Sequence, residues 1–189
     1  MKFNIALIQL DTQDQIDFNL QKISDLIDEA AQKGAQVIAL PEVSTYIGTD
    51  RAGHVEELTE GKSFKLFSQK AKEHGLWIHG GSIYGMNPKD PSKPFNTSLI
   101  VNPQGELVAS YNKIHLFDVD IKKGPVVKES DNISRGEEIV TVDTDYGKWG
   151  LAICYDMRFP ELFRLLALDG AEILFIPANF TTSTGKDHW

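Results

Sequence analysis

Apolar and polar positions along this chain switch repeatedly between the period of a buried strand and the period of a helix. Phe3 to Leu10 is a short apolar run, rich in Ile and Leu and closed by Asp11, which predicts a buried strand. Ile23, Leu26, Ile27, Ala30 and Ala31 then recur at the helical spacing, with Asp17 as the expected N-cap and Gly34 free to take the left-handed position past the last turn. Ala35 to Leu40 is again a continuous apolar run, stopped by Pro41, and completes a βαβ unit. A looser copy follows. Phe64, Phe67, Ser68 and Ala71 mark one helix face that Gly75 ends, and Leu76 to Tyr84 reads as the next strand.

The second half changes style. Phe95 to Val101 and Glu106 to Tyr111 form a predicted hairpin around Asn102-Pro103-Gln104-Gly105, and Glu138 to Asp143 pairs with Lys148 to Ile153 across Asp145-Tyr146-Gly147. Between them Lys122 to Gly136 is polar, holds Gly124, Pro125 and Gly136, and reads as a long loop of the kind that carries function. Pro160, Leu162, Leu165 and Leu166 predict a helix with proline near its first position and Gly170 as its stop, followed by a strand from Glu172 to Ile176. Mixed βαβ units and hairpins imply a layered α/β sandwich with parallel and antiparallel pairs.

Composition narrows the function classes. A chain of 189 residues, 41% hydrophobic and 24% charged, has the size and balance of one globular domain, so residues 1–189 are read as a single unit. The net charge of -8, without clustered Lys and Arg, argues against a nucleic-acid surface. The N-terminal apolar stretch is broken by Asn4, Gln9 and Asp11, and no apolar run is long enough for a membrane span, so the expectation is a cytoplasmic protein without membrane contact. A single cysteine excludes an internal disulfide framework, and no CxxC or His-x-x-x-His pair offers a zinc site.

Three predicted strands end in an abrupt polarity change: at Pro41-Glu42, at Asn112-Lys113 and at Ile153-Cys154. Strand ends are where α/β folds build ligand sites. A thiol is mostly protonated at neutral pH and needs a base or a cation to become a nucleophile. Glu42 could take that proton, and Lys113 could stabilise both a thiolate and the oxyanion formed when a carbonyl is attacked. Taken singly, each residue has an ordinary reading: Glu42 and Lys113 as solvated surface charges, Cys154 as core filler. A Cys–His pair finds no papain-like string around Cys154, and Gly80-Gly81-Ser82-Ile83-Tyr84 lacks the last glycine of a nucleophile elbow.

The local strings separate these readings. Leu40-Pro41-Glu42, Asn112-Lys113-Ile114-His115-Leu116-Phe117-Asp118 and Cys154-Tyr155-Asp156-Met157-Arg158-Phe159-Pro160-Glu161 closely resemble the glutamate, lysine and cysteine motifs of the nitrilase superfamily of carbon–nitrogen hydrolases, in the same order and at similar spacing. Tyr111 to Ser130, Cys154 to Leu162 and Thr184 to Trp189 look most like its amidase branch, which includes deaminated-glutathione amidase and omega-amidase. The resemblance implies an αββα sandwich, protomers that pair into homodimers or higher homo-oligomers, and no metal or organic cofactor. It implies hydrolysis of a small linear carboxylated amide through a thioester on Cys154, with Glu42 shuttling protons and Lys113 and the backbone N–H of Tyr155 holding the oxyanion. Glu129 would orient Lys113 or the substrate, unless it is an ordinary loop charge. Asn179, Phe180 and Thr181 would contact substrate, or else form a plain strand-end loop. Asp156 and Arg158 would lock the turn after the nucleophile, by pairing with each other or with main chain. Relatives continue beyond Trp189, which implies that a C-terminal part of the domain is missing here. The competing functions are an N-carbamoyl amidohydrolase and a truncated, inactive binding module.

Overall fold

The computed structural model describes residues 2–120 and 126–188. Strand β1 (Ile5–Leu7), helix α1 (Ile16–Gln32) and strand β2 (Val37–Ala39) form the expected βαβ unit, β1 and β2 pairing in parallel from Ile5 opposite Val37. Gly34 takes the left-handed conformation that lets the chain leave α1 (φ +83°). Asp17, by contrast, is not the cap: Gln15 holds that position without a side-chain bond, and Asp17 lies in the first turn, paired with Lys62.

Helix α2 (Lys62–His74) ends on left-handed Gly75 and feeds β3 (Trp77–His79), parallel to β2. The expected strand from Leu76 to Tyr84 is interrupted. It splits into β3 and β4 (Ile83–Gly85), both antiparallel to the same strand, β5 (Phe95–Val101), with the register slipping by one residue between Ile78 opposite Val101 and Ile83 opposite Thr97. The extra residue fits because Gly81 has φ +66° and lies so close to the Pro41 carbonyl that any side chain would collide with it. Strand β6 (Leu107–Asn112) pairs the other edge of β5 and completes a six-stranded sheet.

Part of the predicted long loop is ordered structure. β7 (Asp118–Asp120) pairs antiparallel with β8 (Val126–Lys128), and Glu129–Asp131 forms a 3-10 turn; residues 122–125 of the expected loop lie outside the described residues. β9 (Thr141–Thr144) and β10 (Gly147–Leu151) form the second hairpin, and β11 (Ile173–Phe175) joins β10 in parallel to make a three-stranded sheet. Helix α3 (Pro160–Leu168), with Pro160 at its start, connects them, and α4 (Thr182–His188), which no periodicity announced, follows β11.

Side-chain alternation stacks the layers. Val37 and Ala39 of β2 face Trp149, Leu151, Ile153 and Phe175 of the second sheet, whereas Ile38 and Leu40 face Ile23 and Ile27 of α1 and Phe67 and Ala71 of α2. On the far side of the second sheet, Ala152 packs with Leu162 and Leu166 of α3, and Gly150 leaves room for that approach, since an added Cβ would lie 2.8 Å from Leu174 and 3.3 Å from Leu166. The order of layers is therefore helix, sheet, sheet, helix, as the motif resemblance implied.

Candidate active site

Three strand ends meet at one rim of the sandwich. Glu42 stands just past β2, Lys113 directly after β6, and Cys154 just past β10 at the start of a 3-10 turn (Cys154–Arg158). Cys154 has φ +47°, a strained conformation for a residue with a Cβ, and its N–H donates to Pro177 O at 2.9 Å, so the backbone turns sharply out of the sheet at the sulfur. Val43, beside Glu42, is strained in the same way at φ +46°.

The carboxylate of Glu42 is buried and fully occupied. Its Oε1 accepts from Lys113 Nζ at 3.1 Å and from Asn96 Nδ2 at 2.9 Å, and its Oε2 accepts from the Asn179 backbone N–H at 2.9 Å. Lys113, only 2% exposed, also lies 3.0 Å from Glu129 Oε2, which accepts the Phe117 N–H at 2.7 Å. Burial disfavours the Lys113 ammonium, but the charges of Glu42, Glu129 and Cys154 outweigh it and hold its pKa above the ordinary lysine value. Burial also pushes the Cys154 thiol up to about 12, joined by the neighbouring Glu42 carboxylate, to which the thiol donates a hydrogen bond; Lys113 and the Asn179 N–H pull the other way. Burial and the Glu42 carboxylate thus favour the protonated form of the sulfur.

A second network fixes the turn after the sulfur. Asp156 is fully buried and accepts from Ile153 N at 2.8 Å, Tyr111 Oη at 2.7 Å and His115 N at 2.9 Å, with His115 Nδ1 at 2.8 Å. The main-chain part of the expected turn lock is present, and its side-chain partners are Tyr111 and His115 on the segment that also carries Lys113. Sequence spacing gave no sign of these long-range bonds.

A cavity of about 510 Å³ opens over these groups and is lined by Glu42, Lys113, Glu129, Cys154, Tyr155 and Asn179. Phe180 and Thr181 also border it, so every residue to which the sequence assigned a catalytic, oxyanion, supporting or substrate-contacting role lies on this cavity. Arg51, Tyr84 and Asn96 line it as well, and the sequence reading missed all three. Ligand atoms suited to a metal come together elsewhere among the described residues, at Asp28, Glu73 and His74 on α1 and α2, where Lys70 Nζ already pairs with Asp28 at 2.6 Å and Glu73 at 3.3 Å.

The sequence profile of the carbon–nitrogen hydrolases matches residues 4–189. This chain belongs to the carbon–nitrogen hydrolase family. It is 41% identical to an omega-amidase of Xenopus laevis over 189 residues, all of this chain and 67% of that protein. It is 35% identical to a deaminated glutathione amidase of Synechocystis over 97% of this chain and 69% of that one. Among solved structures, Nit3 of Saccharomyces cerevisiae, a member of branch 10 of the nitrilase superfamily, superimposes with a TM-score of 0.85 at 34% identity, covering 98% of this chain and 67% of that one. The carbon–nitrogen hydrolase chain thus spans about two thirds of the length of these relatives. The nitrilase-superfamily resemblance of its motifs and the sandwich it implied are borne out, and no helix among the described residues is long and apolar enough to cross a membrane.

Proposed function

We propose that this carbon–nitrogen hydrolase is an amidase that releases ammonia from a small linear amide carrying a carboxylate, through a thioester on Cys154. The observation that carries the reading is the contact set at the rim: a thiol donating to a buried carboxylate that a buried ammonium holds at 3.1 Å, facing a cavity of small-molecule size. In this reading Cys154 Sγ attacks the amide carbon while its proton passes to Glu42. Lys113 and the backbone N–H of Tyr155 hold the oxyanion. Glu42 then gives the proton to the departing amine as the C–N bond breaks, and ammonia leaves. Water attacks the thioester carbon, its proton going to Glu42 and from there to the sulfur, which restores the thiol and frees the acid. Glu129 anchors the far side of Lys113, so the ammonium cannot swing away when Glu42 becomes neutral. Asn179 orients Glu42 through its backbone, and Phe180 and Thr181 border the substrate.

The names of the relatives favour an omega-amide or deaminated glutathione as substrate. The test is ammonia release by the wild-type chain and by Cys154→Ala across a panel of amides, with a trapped acyl-enzyme mass sought on Cys154. Carbon dioxide accompanying ammonia would point to a carbamoyl substrate instead. No ammonia from any amide would leave a binding module and reject the activity. The same proposal takes residues 1–189 as one catalytic domain whose protomers associate, which light scattering checks.

A further inference from the structure

The charges around the cavity leave an imbalance. Glu42 and Glu129 share one ammonium, that of Lys113, so the reacting end carries a net charge of about minus one and repels an entering anion. Two further cations line the cavity. Lys128 stands directly across from Asp118 in the β7–β8 ladder, and its charge acts on that carboxylate. Arg51 is different: among the described residues no carboxylate lies within ion-pair distance of it, and its guanidinium instead donates to the Tyr84 hydroxyl.

The segment that carries Arg51 is held in place. Tyr46 is buried and stacks on His54 with ring centroids 3.6 Å apart, and its hydroxyl accepts the Asp50 N–H at 3.1 Å. Asp50 in turn receives Gly53 N at 3.0 Å and lies with its carbonyl 2.8 Å from His54 Nδ1. The Glu56 backbone N–H then donates to Tyr84 O at 2.9 Å, strapping the segment to the strand that presents Tyr84. Burial keeps the Tyr84 phenol protonated well above neutral pH, so it serves as a second donor beside the guanidinium. Both groups line the cavity that also holds Cys154.

We propose that Arg51, supported by Tyr84, receives the distal carboxylate of the substrate and makes this site prefer amides that end in a carboxylate over neutral amides of the same length. This deepens the amidase reading and rests on it for the identity of the reacting end. A guanidinium fork and a carboxylate make paired, charge-assisted hydrogen bonds, and the arriving anion offsets a lining cation that has no acidic partner among the described residues.

The test compares kcat/KM for glutaramate with that for pentanamide in wild type, Arg51→Met and Arg51→Lys. The ratio is expected to fall by about ten- to a hundredfold in Arg51→Met, the range for one lost charge-assisted pair, and less in Arg51→Lys, which keeps the charge without the fork. Tyr84→Phe should lower it by a smaller factor. Arg51 is exposed and outside the core, so these variants fold. A second arm needs no turnover: calorimetry of glutarate binding to Cys154→Ala, with and without Arg51→Met. Weaker binding in the double variant sustains the assignment even if no amide is hydrolysed, which would reject the amidase reading alone. An unchanged ratio, or glutarate that fails to bind Cys154→Ala, overturns it.

Discussion

Replacing Glu42 by Gln should make Cys154 more acidic while destroying turnover. The thiol is held at about 12 by burial and then by the Glu42 carboxylate, against the pull of Lys113. Gln keeps the shape but removes the anion, and Lys113, 3.1 Å from the lost charge, is left facing the sulfur with only Glu129 as a counter-ion. Two unit charges about 4 Å apart interact by about 4 kcal/mol at an effective dielectric near 20, which caps the fall in the thiolate midpoint at about three pH units. Burial persists and limits the drop. Cys154 is the sole cysteine, so the rate of its alkylation by iodoacetamide against pH, followed by mass, reports its thiolate. The expected result is a lower midpoint in Glu42→Gln together with loss of ammonia release, because the attack requires a base to take the proton during the reaction rather than a thiolate formed beforehand. A midpoint that stays or rises would mean that Glu42 is not the charge holding the proton on sulfur, and the base assignment would fall with it.

Lys113→Met should lower kcat by about a hundred- to a thousandfold with little change in KM, since an oxyanion donor acts mainly in the transition state; a change confined to KM, read from steady-state ammonia release, would contradict the role. Asp156→Asn presents an amide N–H₂ to donors that now share a carboxylate, and should cost about 1 to 3 kcal/mol in urea unfolding together with reduced turnover. An unchanged urea midpoint would show that the network does not hold the turn. His79 is buried against Phe175, its Nδ1 accepting the Gly81 N–H at 3.1 Å, and burial lowers its pKa from 6.5 to about 4. The unfolded chain takes up this proton at higher pH than the folded one, so stability should fall as pH drops from about 6.5 to about 4, by up to about 3 kcal/mol, and His79→Gln should flatten that slope in urea titrations.

What the sequence showed and what it hid divide along the reach of the interaction. The alternation at Val37-Ile38-Ala39-Leu40 announced a strand buried on both faces, and the structure puts odd positions toward the second sheet and even ones toward the helices. Glu42, Lys113 and Cys154 were visible because each follows an apolar run that ends abruptly, and their motif strings told them apart from ordinary surface charges and a core thiol. The bulge at Gly80 to Ser82 was hidden, since it depends on the Pro41 carbonyl, which approaches from a different strand. β7 and β8 were hidden because three-residue strands have almost no period to read. Arg51 follows a run of turn residues with no periodicity, and only the closing of its segment onto β4 brings it over the cavity. The donors that fix Asp156 come from about forty residues upstream, beyond any local pattern.

The proposed reacting groups are divided between the two sheets: Glu42 and Lys113 follow strands of the six-stranded sheet, while Cys154 and Asn179 follow strands of the three-stranded one. The bond from Asn179 N–H to Glu42 Oε2 crosses that seam. Under the proposed mechanism, catalysis therefore works as a gauge of how the two sheets are seated on each other. A slide of less than an ångström, too small to expose the apolar layer between them or to alter any strand, would already separate sulfur from carboxylate, because catalytic geometry tolerates only about half an ångström. Mutations in the buried contacts among Trp77, Trp149 and Phe175, none of which lines the cavity, then become a way to adjust the rate without touching a group on the cavity wall.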